Sequence, residues 1–353
     1  MNVAQGRILR RFGLAASLGI AAMVLTGCSS EEVLRFGWPE GITPQAERMR
    51  ELWTWSAVAA LVMGILVWSL TFWVVIAYRK KRDSPEFPRQ TAYNVPLELL
   101  YTAAPFVAVC VLFYFTVVVQ NYVLEKEDNP NVVVNVTAYQ WNWKFGYRTV
   151  DLGDGAAPYN GIDEIAQAAV QPEEHVAAEG DEHASAGPIH GLPTEDLSYL
   201  NFDKIETLGS SEEIPVLVLP TNRRIEFNLA SSDVIHSFWV PEFLFKRDVN
   251  PHPANNASDP IFQISEIDRE GAFVGRCAEM CGTYHAMMNF EVRAVSPERF
   301  AEYIELRKPV EDGGQGLSNA RALEAIGESP IATSTSPFKT ERTDRSASVA
   351  AGE

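Results

Sequence analysis

The sequence CAEMCGTYHAMM at residues 277–288 decides how the rest of this chain is interpreted. It brings two thiols, an imidazole and a thioether close together in one short segment, at Cys277, Cys281, His285 and Met288. Soft sulfur donors combined with imidazole suit copper, whereas oxygen donors suit magnesium or calcium. Two thiolates four residues apart in one loop indicate two copper ions that share both sulfur atoms.

A site with two copper ions needs a second imidazole from another part of the chain. Only six histidines occur in the sequence, and His236 is the best placed of them, within VIHSFWV at residues 234–240. Two simpler interpretations compete with the copper site. Cys277 and Cys281 could form a disulfide in an extracellular domain, or the loop could hold a structural zinc ion. Neither interpretation gives Met288 a role.

The loop and the segment around His236 resemble the binuclear copper site, Cu-A, of cytochrome c oxidase subunit II. The resemblance covers about residues 53–303 apart from an acidic insert, and it matches every position of the copper motif. In that family two bridging thiolates, two histidines, one methionine and one glutamate main-chain carbonyl bind the two coppers. Met287 stands beside Met288, and the family spacing selects Met288. The ligands that the resemblance implies are His236, Cys277, Glu279, Cys281, His285 and Met288.

The start of the chain is typical of a secretory signal over residues 1–27. Three arginines precede an apolar run at residues 12–25. The sequence LTGC at residues 25–28 resembles a bacterial lipoprotein cleavage site, which would leave a lipidated Cys28 as the first mature residue. The alternative is an uncleaved anchor with an incidental cysteine, although the apolar run is short for a membrane span.

Two apolar stretches predict a pair of transmembrane helices within residues 53–123. The first stretch, residues 53–78, carries no charged side chain, and RKKR follows it at residues 79–82. Because cationic clusters beside membrane helices favour the cytoplasm, residues 79–95 are predicted to form a cytoplasmic loop. The N-terminal segment 28–52 and the C-terminal domain then lie on the outer face of a bacterial cell membrane.

Glu98 is the one charged residue near the start of the second stretch. Carboxylates at membrane depth are functional candidates. The surrounding sequence resembles the family segment whose glutamate helps to admit protons from the cytoplasmic side, so the resemblance implies proton entry at Glu98. The alternative is a hydrated carboxylate at the membrane interface.

Short strand-like segments separated by turn residues predict an all-β external domain over residues 131–296. The resemblance implies a Greek-key cupredoxin fold. It also relates the aromatic sequence AYQWNW at residues 138–143 to the family segment that receives electrons from cytochrome c, with Trp141 as the entry residue. Where that family often has tyrosine between the two tryptophans, this chain has Asn142, which leaves the local packing open.

The formal net charge of −17 excludes a nucleic-acid-binding protein, and most of it is local. Residues 151–200 are predicted to be an acidic surface insert, in which three histidines without common spacing are interpreted as solvated loop residues. Residues 297–308 are predicted to form a short helix that Ser296 and Pro297 begin. The remaining residues, 309–353, are predicted to form a mobile tail.

The resemblance therefore implies subunit II of a proton-translocating cytochrome c oxidase. Electrons would pass from cytochrome c through Cu-A to subunit I, where haem and Cu-B reduce oxygen to water. Subunits I and III and membrane lipid are the implied partners, and the Glu279 carboxylate would bind magnesium at the subunit I interface. The insert and lipoprotein start resemble actinobacterial forms, which implies a membrane-bound cytochrome within a supercomplex with a cytochrome bc complex.

Four other functions remain in competition. A free-standing copper electron carrier would need only one anchor rather than two spans. A quinol oxidase subunit shares the architecture but lacks the copper ligands, which this chain retains. Nitrous oxide reductase shares the copper motif but needs more histidines than the six present. An assembly protein would differ from an oxidase subunit in its copper content.

Overall fold

The structure is a computed structural model, and it divides into two compact units that are described separately. The predicted signal, Cys28 and the three histidines of the acidic insert lie outside the described residues. The residues that the structure describes are 30–81, 84, 86–87, 90, 92–153, 155, 157–170, 197–255, 258–310 and 314–337.

Two long apolar helices dominate the first unit. A short helix, α1 (Ser30–Leu34), precedes α2 (Pro44–Ala77) and α3 (Val95–Val123). With 34 and 29 residues, α2 and α3 are long and apolar enough to cross a membrane. Most of their large apolar side chains are exposed, as expected of helices that face lipid.

Helix α2 begins ahead of the predicted span at residue 53 because its first turn is capped. The Thr43 hydroxyl accepts a hydrogen bond from the main-chain N–H of Ala46 at 3.0 Å. Ala46 is fully buried, and the Gln45 amide donates to the Ser265 hydroxyl at 2.7 Å. This polar start of the helix belongs to the second unit, whereas the apolar remainder belongs to the first.

Glu98 has a local role that its sequence context did not predict. Its Oε1 accepts a hydrogen bond from the main-chain N–H of Asn94 at 2.8 Å. In return, the Asn94 side-chain oxygen accepts one from the N–H of Leu97 at 3.3 Å. These two hydrogen bonds satisfy main-chain donors at the start of α3. A neutral side-chain oxygen could accept the same bond from Asn94, so the cap does not require the charge of Glu98.

The second unit is a β-domain built from two sheets. The strands are β1 (Val132–Tyr139), β2 (Asn142–Val150), β3 (Tyr159–Asn160), β4 (Glu206–Leu208), β5 (Val216–Pro220), β6 (Ile225–Ser231), β7 (His236–Val240), β8 (Phe245–Val249), β9 (Ile261–Ile264), β10 (Gly271–Cys277) and β11 (Asn289–Val295). One sheet has the strand order β3-β2-β1-β6-β9, with β4 also paired to β2, and the other has the order β5-β11-β10-β7-β8. The prediction of two membrane-length apolar helices followed by an all-β domain is confirmed.

The core between the sheets is aromatic. The Trp143 ring lies edge-on to Phe238 and Phe290, with centroids 6.0 and 5.2 Å away, and Phe238 stacks on Phe290 at 4.8 Å. The Trp143 indole N–H donates to the Met288 carbonyl at 3.2 Å. This packing joins the aromatic core directly to the end of the 277–288 loop.

The acidic insert begins with regular structure. Strand β3 pairs with β2, and helix α4 (Glu164–Ala169) follows it. The Asp163 carboxylate accepts hydrogen bonds from the main-chain N–H groups of Ile165 and Ala166, which caps this short helix.

The prediction of a mobile tail over residues 309–353 is wrong for residues 314–337. Helix α5 (Pro297–Arg307) ends close to its predicted position, but helix α6 (Asn319–Ala325) follows it. Ala322 and Leu323 of α6 are fully buried. The average polarity of the tail concealed these few apolar residues, which pack only because the β-domain provides a surface for them.

Candidate metal centre

Three neighbouring strands of one sheet bring the predicted ligands together. Strand β10 ends at Cys277, and β11 begins directly after Met288, so the loop between them joins two antiparallel strands. Strand β7, which begins at His236, pairs with β10 on its other side. Hydrogen bonding in this sheet therefore places a residue 41 positions away in sequence beside Cys277.

The six predicted ligands form a compact cluster around two sulfur atoms. Cys277 and Cys281 are free thiols with Sγ atoms 3.8 Å apart, so the structure contains no disulfide between them. Each sulfur has one imidazole nitrogen and one further donor beside it. The distances are 3.9 Å from Cys277 Sγ to His236 Nδ1, 3.2 Å from Cys277 Sγ to the Glu279 carbonyl, 3.6 Å from Cys281 Sγ to His285 Nδ1 and 3.8 Å from Cys281 Sγ to Met288 Sδ.

The two thiols titrate as a pair. A hydrogen bond from Cys281 and a smaller contribution from the His236 imidazole, against the opposing effect of burial, lower the pKa of the Cys277 thiol to about 3. The pKa of Cys281 is raised, because its proton bridges to the Cys277 sulfur and because it is buried. At neutral pH the pair therefore contains a thiolate, the form that binds metal ions.

Asp233 orients His236, and sequence reasoning missed it. Burial lowers the pKa of His236, but the hydrogen bonds and charges of Asp233 and Cys277 together outweigh burial and raise the pKa. The hydrogen bond to Asp233 joins Nε2 and Oδ1 at 2.8 Å. With Nε2 occupied in this way, Nδ1 faces Cys277. Carboxylate–histidine pairs orient many metal ligands. The position of a carboxylate three residues before a candidate histidine was a signal that could have identified it.

Trp141 contacts the loop through the Cys281 main-chain carbonyl. Its indole N–H donates to this oxygen at 3.0 Å, and the Gln140 side-chain amide donates to the same oxygen at 2.7 Å. Tyr284 packs edge-on against the Trp141 ring at 4.9 Å. Gly282 permits this approach, because its φ is +117° and a Cβ atom there would lie 3.2 Å from the Trp141 ring. Sequence reasoning did not predict roles for Gln140 or Tyr284.

Asn142, which stands where the family often has tyrosine, is held by two side-chain hydrogen bonds. Its side chain donates to the Ser210 carbonyl at 2.8 Å and accepts from the main-chain N–H of Trp143 at 2.9 Å. The Tyr139 hydroxyl also donates to the neighbouring Gly209 carbonyl at 2.7 Å. These bonds hold the segment after the acidic insert against the turn that carries Trp141.

The donor chemistry of the cluster fits copper. Among the described residues, His236, Cys277 and Cys281 are all buried, and their donor atoms lie within 4.8 Å of one another. A structural zinc site would use the thiols and imidazoles but would leave the Met288 thioether and the Glu279 carbonyl without a function. The Glu279 carboxylate is an oxygen donor of the kind that magnesium prefers, although it provides only one ligand.

The sequence is similar to those of known oxidase subunits over almost its whole length. Residues 191–295 match the family described as cytochrome c oxidase subunit II, periplasmic domain. The chain is 65% identical to the probable cytochrome c oxidase subunit 2 of Nocardia farcinica, covering 99% of this chain and 93% of that protein. It is 52% identical to cytochrome c oxidase subunit 2 of Corynebacterium glutamicum, covering 95% and 94% of the two chains.

A solved structure of the periplasmic domain of subunit II of cytochrome oxidase from Bradyrhizobium japonicum also matches. It is 21% identical, has a TM-score of 0.28, and the match covers 50% of this chain and 93% of that one.

The fold and the site define a protein with two membrane-length helices and a two-sheet β-domain that carries a sulfur- and imidazole-rich centre. The chain belongs to the cytochrome c oxidase subunit II family. The predictions of this family and of an enzyme subunit are therefore confirmed: the chain is a component of a haem–copper oxidase complex, which implies other oxidase subunits.

Proposed function

We propose that the β-domain binds two copper ions as a Cu-A centre that accepts electrons from cytochrome c. The observation that carries the proposal is the arrangement of donors around the sulfur pair. Each of Cys277 and Cys281 has one imidazole Nδ1 within 3.9 Å and a second donor within 3.8 Å. The ligands would be His236, Cys277, Glu279, Cys281, His285 and Met288.

The protein prepares this site for metal by deprotonating one cysteine and by burying both. The bound copper pair would supply reversible one-electron exchange. The low pKa of Cys277 provides a thiolate before metal binds, and Asp233 keeps the metal-facing nitrogen of His236 available. Both cysteines are buried. Burial excludes water from the site and limits the reorganisation that would accompany electron transfer.

Trp141 is the proposed point of electron entry. It is partly exposed, yet its indole N–H is hydrogen-bonded to the main-chain carbonyl of Cys281. A donor haem that contacts this ring would therefore be connected to the sulfur pair through one hydrogen bond and a few covalent bonds. The subunit would pass the electron to subunit I, whose haem and Cu-B reduce oxygen to water with proton translocation.

The remaining proposals concern the complex and its membrane. The two long apolar helices support a subunit that crosses the membrane twice. The cationic sequence at residues 79–82 between them supports a cytoplasmic loop, with both termini on the outer face of a bacterial membrane. A lipidated Cys28, a magnesium ion bound by the Glu279 carboxylate, subunits I and III and a membrane-bound cytochrome supercomplex rest on the family resemblance.

Electron paramagnetic resonance of the purified, copper-loaded full-length subunit tests the centre directly. We expect a seven-line hyperfine pattern, because one unpaired electron shared equally by two copper nuclei couples to both. Copper analysis should give two ions per chain. A four-line pattern with one copper would contradict the shared-thiolate site, and a chain isolated with zinc and without a copper signal would support the structural zinc interpretation.

The proposed proton entry at Glu98 is tested by Glu98→Gln. Because a glutamine oxygen can still accept the Asn94 N–H bond, this change removes the charge while preserving the helix cap. We expect slower proton-linked turnover of the oxidase complex with an unchanged copper spectrum. Glu98→Ala, which removes both the charge and the cap, is the comparison variant. Equal turnover in Glu98→Gln and wild type across the working pH range would leave Glu98 with its capping role alone.

A further inference from the structure

We propose that residues 328–337, called the C-terminal strap, form one wall of the site at which the electron donor docks. The strap makes this site selective for an uncharged protruding part of the donor protein. This inference rests on the proposed function, because it assumes that the donor approaches Trp141. The strap follows the last strand of the β-domain in the sequence and contains none of the proposed copper ligands.

A buried carboxylate anchors the strap. Glu291 on β11 is fully buried, and its Oε2 accepts hydrogen bonds from the main-chain N–H groups of Thr333 and Ser334, each at 2.6 Å. The Ser334 hydroxyl donates to the same oxygen at 2.7 Å. Removing a charge from water is costly unless hydrogen bonds and an opposite charge compensate it. Strap donors provide a large part of that compensation.

Arg293, two residues further along β11, completes the anchor. Its guanidinium forms an ion pair with Glu291 and another with Glu328 at 3.0 Å, and it donates to the Ile331 carbonyl at 3.3 Å. These contacts attach both the start and the middle of the strap to one strand. Since β11 begins directly after Met288, the strap is fixed to the strand that follows the copper loop.

The anchored strap leads to the electron-entry surface. Three residues after Ser334, Pro337 lines a cavity of about 410 Å³ that Trp141, Tyr284 and Met287 also line. Tyr284 and Met287 lie in the loop of residues 277–288, which carries the proposed copper ligands. One end of the strap thus borders the same space as the proposed entry residue.

The chemistry of the cavity indicates what fits it. All of its lining residues are uncharged, although the chain carries a formal net charge of −17. A charged donor side chain entering this space would lose water without gaining an opposite charge. An uncharged, largely apolar projection of the donor would lose little and would bury the Trp141 and Tyr284 rings, and aromatic residues of this kind often dominate binding at interfaces.

Two truncations of the full-length subunit, assembled in the oxidase complex, test the strap. One ends at Ser334, which preserves the Glu291 anchor but removes Pro337. The matched control ends at Pro337. Residues 338–353 contain three cationic and three anionic side chains, and residues 335–337 contain none, so both truncations have the same formal net charge. The measurement is the second-order rate constant for copper reduction by the donor cytochrome, compared with reduction by a small inorganic complex.

We expect the Ser334 truncation to lower the rate constant with cytochrome by about fivefold, the size of a moderate interface contact. The same loss is expected at low and high ionic strength, and reduction by the small complex should be unchanged. The Pro337 truncation should match wild type. Equal rates in both truncations, or a loss that disappears at high salt, would overturn the inference. Wild-type copper that cytochrome does not reduce would instead overturn the proposed function itself.

Discussion

Cys281→Ser is expected to abolish the two-copper centre and to lower oxidase activity by more than about 100-fold, beyond the usual effect of changing a residue that only orients a ligand. Cys281 is the sulfur next to His285 and Met288, and it lies 3.8 Å from Cys277. A serine hydroxyl has nearly the same shape, but it keeps its proton at neutral pH and is a hard oxygen donor. It therefore cannot bridge two copper ions.

Electron paramagnetic resonance and copper analysis measure this outcome, and Cys110→Ser is the matched control. Cys110 is an exposed cysteine in α3, so the same chemical change there should leave the spectrum and activity intact. Near-normal circular dichroism of Cys281→Ser would show that the fold survives. If the variant retained two coppers, a seven-line spectrum and normal turnover, the bridging role of Cys281 would be wrong.

Trp141→Ala is expected to slow copper reduction by cytochrome about 100-fold, equivalent to roughly 3 kcal/mol, the range of a dominant interface residue. The copper spectrum should remain normal for a specific reason. The Cys281 carbonyl, which loses the indole N–H, still accepts the Gln140 amide hydrogen bond at 2.7 Å. No buried acceptor is left unsatisfied, so the loop should keep its conformation. The measurement is rapid-mixing kinetics of copper reduction.

Two other substitutions separate electron entry from packing. Trp141→Phe keeps an aromatic ring but loses the N–H that reaches Cys281, so it isolates the contribution of the hydrogen bond. Trp143→Ala removes a fully buried ring from the core and should instead destabilise the domain by about 3–5 kcal/mol. If Trp141→Ala copper were reduced as fast as wild-type copper, Trp141 would be a packing residue and the donor would enter elsewhere.

The sequence alone determined the features that depend on residue type and on local spacing. Long uncharged apolar runs predict membrane-length helices because little else can bury them. The donors at residues 277–288 identify a soft metal site because few combinations of side chains provide two thiols, an imidazole and a thioether so close together. Likewise, the short helix after Ser296 followed from its cap and from Pro297.

Only the tertiary structure decided features that depend on distant segments. Glu291 and Arg293 alternate with apolar residues along β11, a pattern typical of a strand with one solvent-exposed face. Both are buried because a C-terminal segment more than 30 residues away covers that face. The pairing of Asp233 with His236, and of Gln140 with Cys281, also required coordinates. Local periodicity contains no information about which distant donors meet, so the polar contacts that orient the ligands and anchor the strap emerged only from the packed domain.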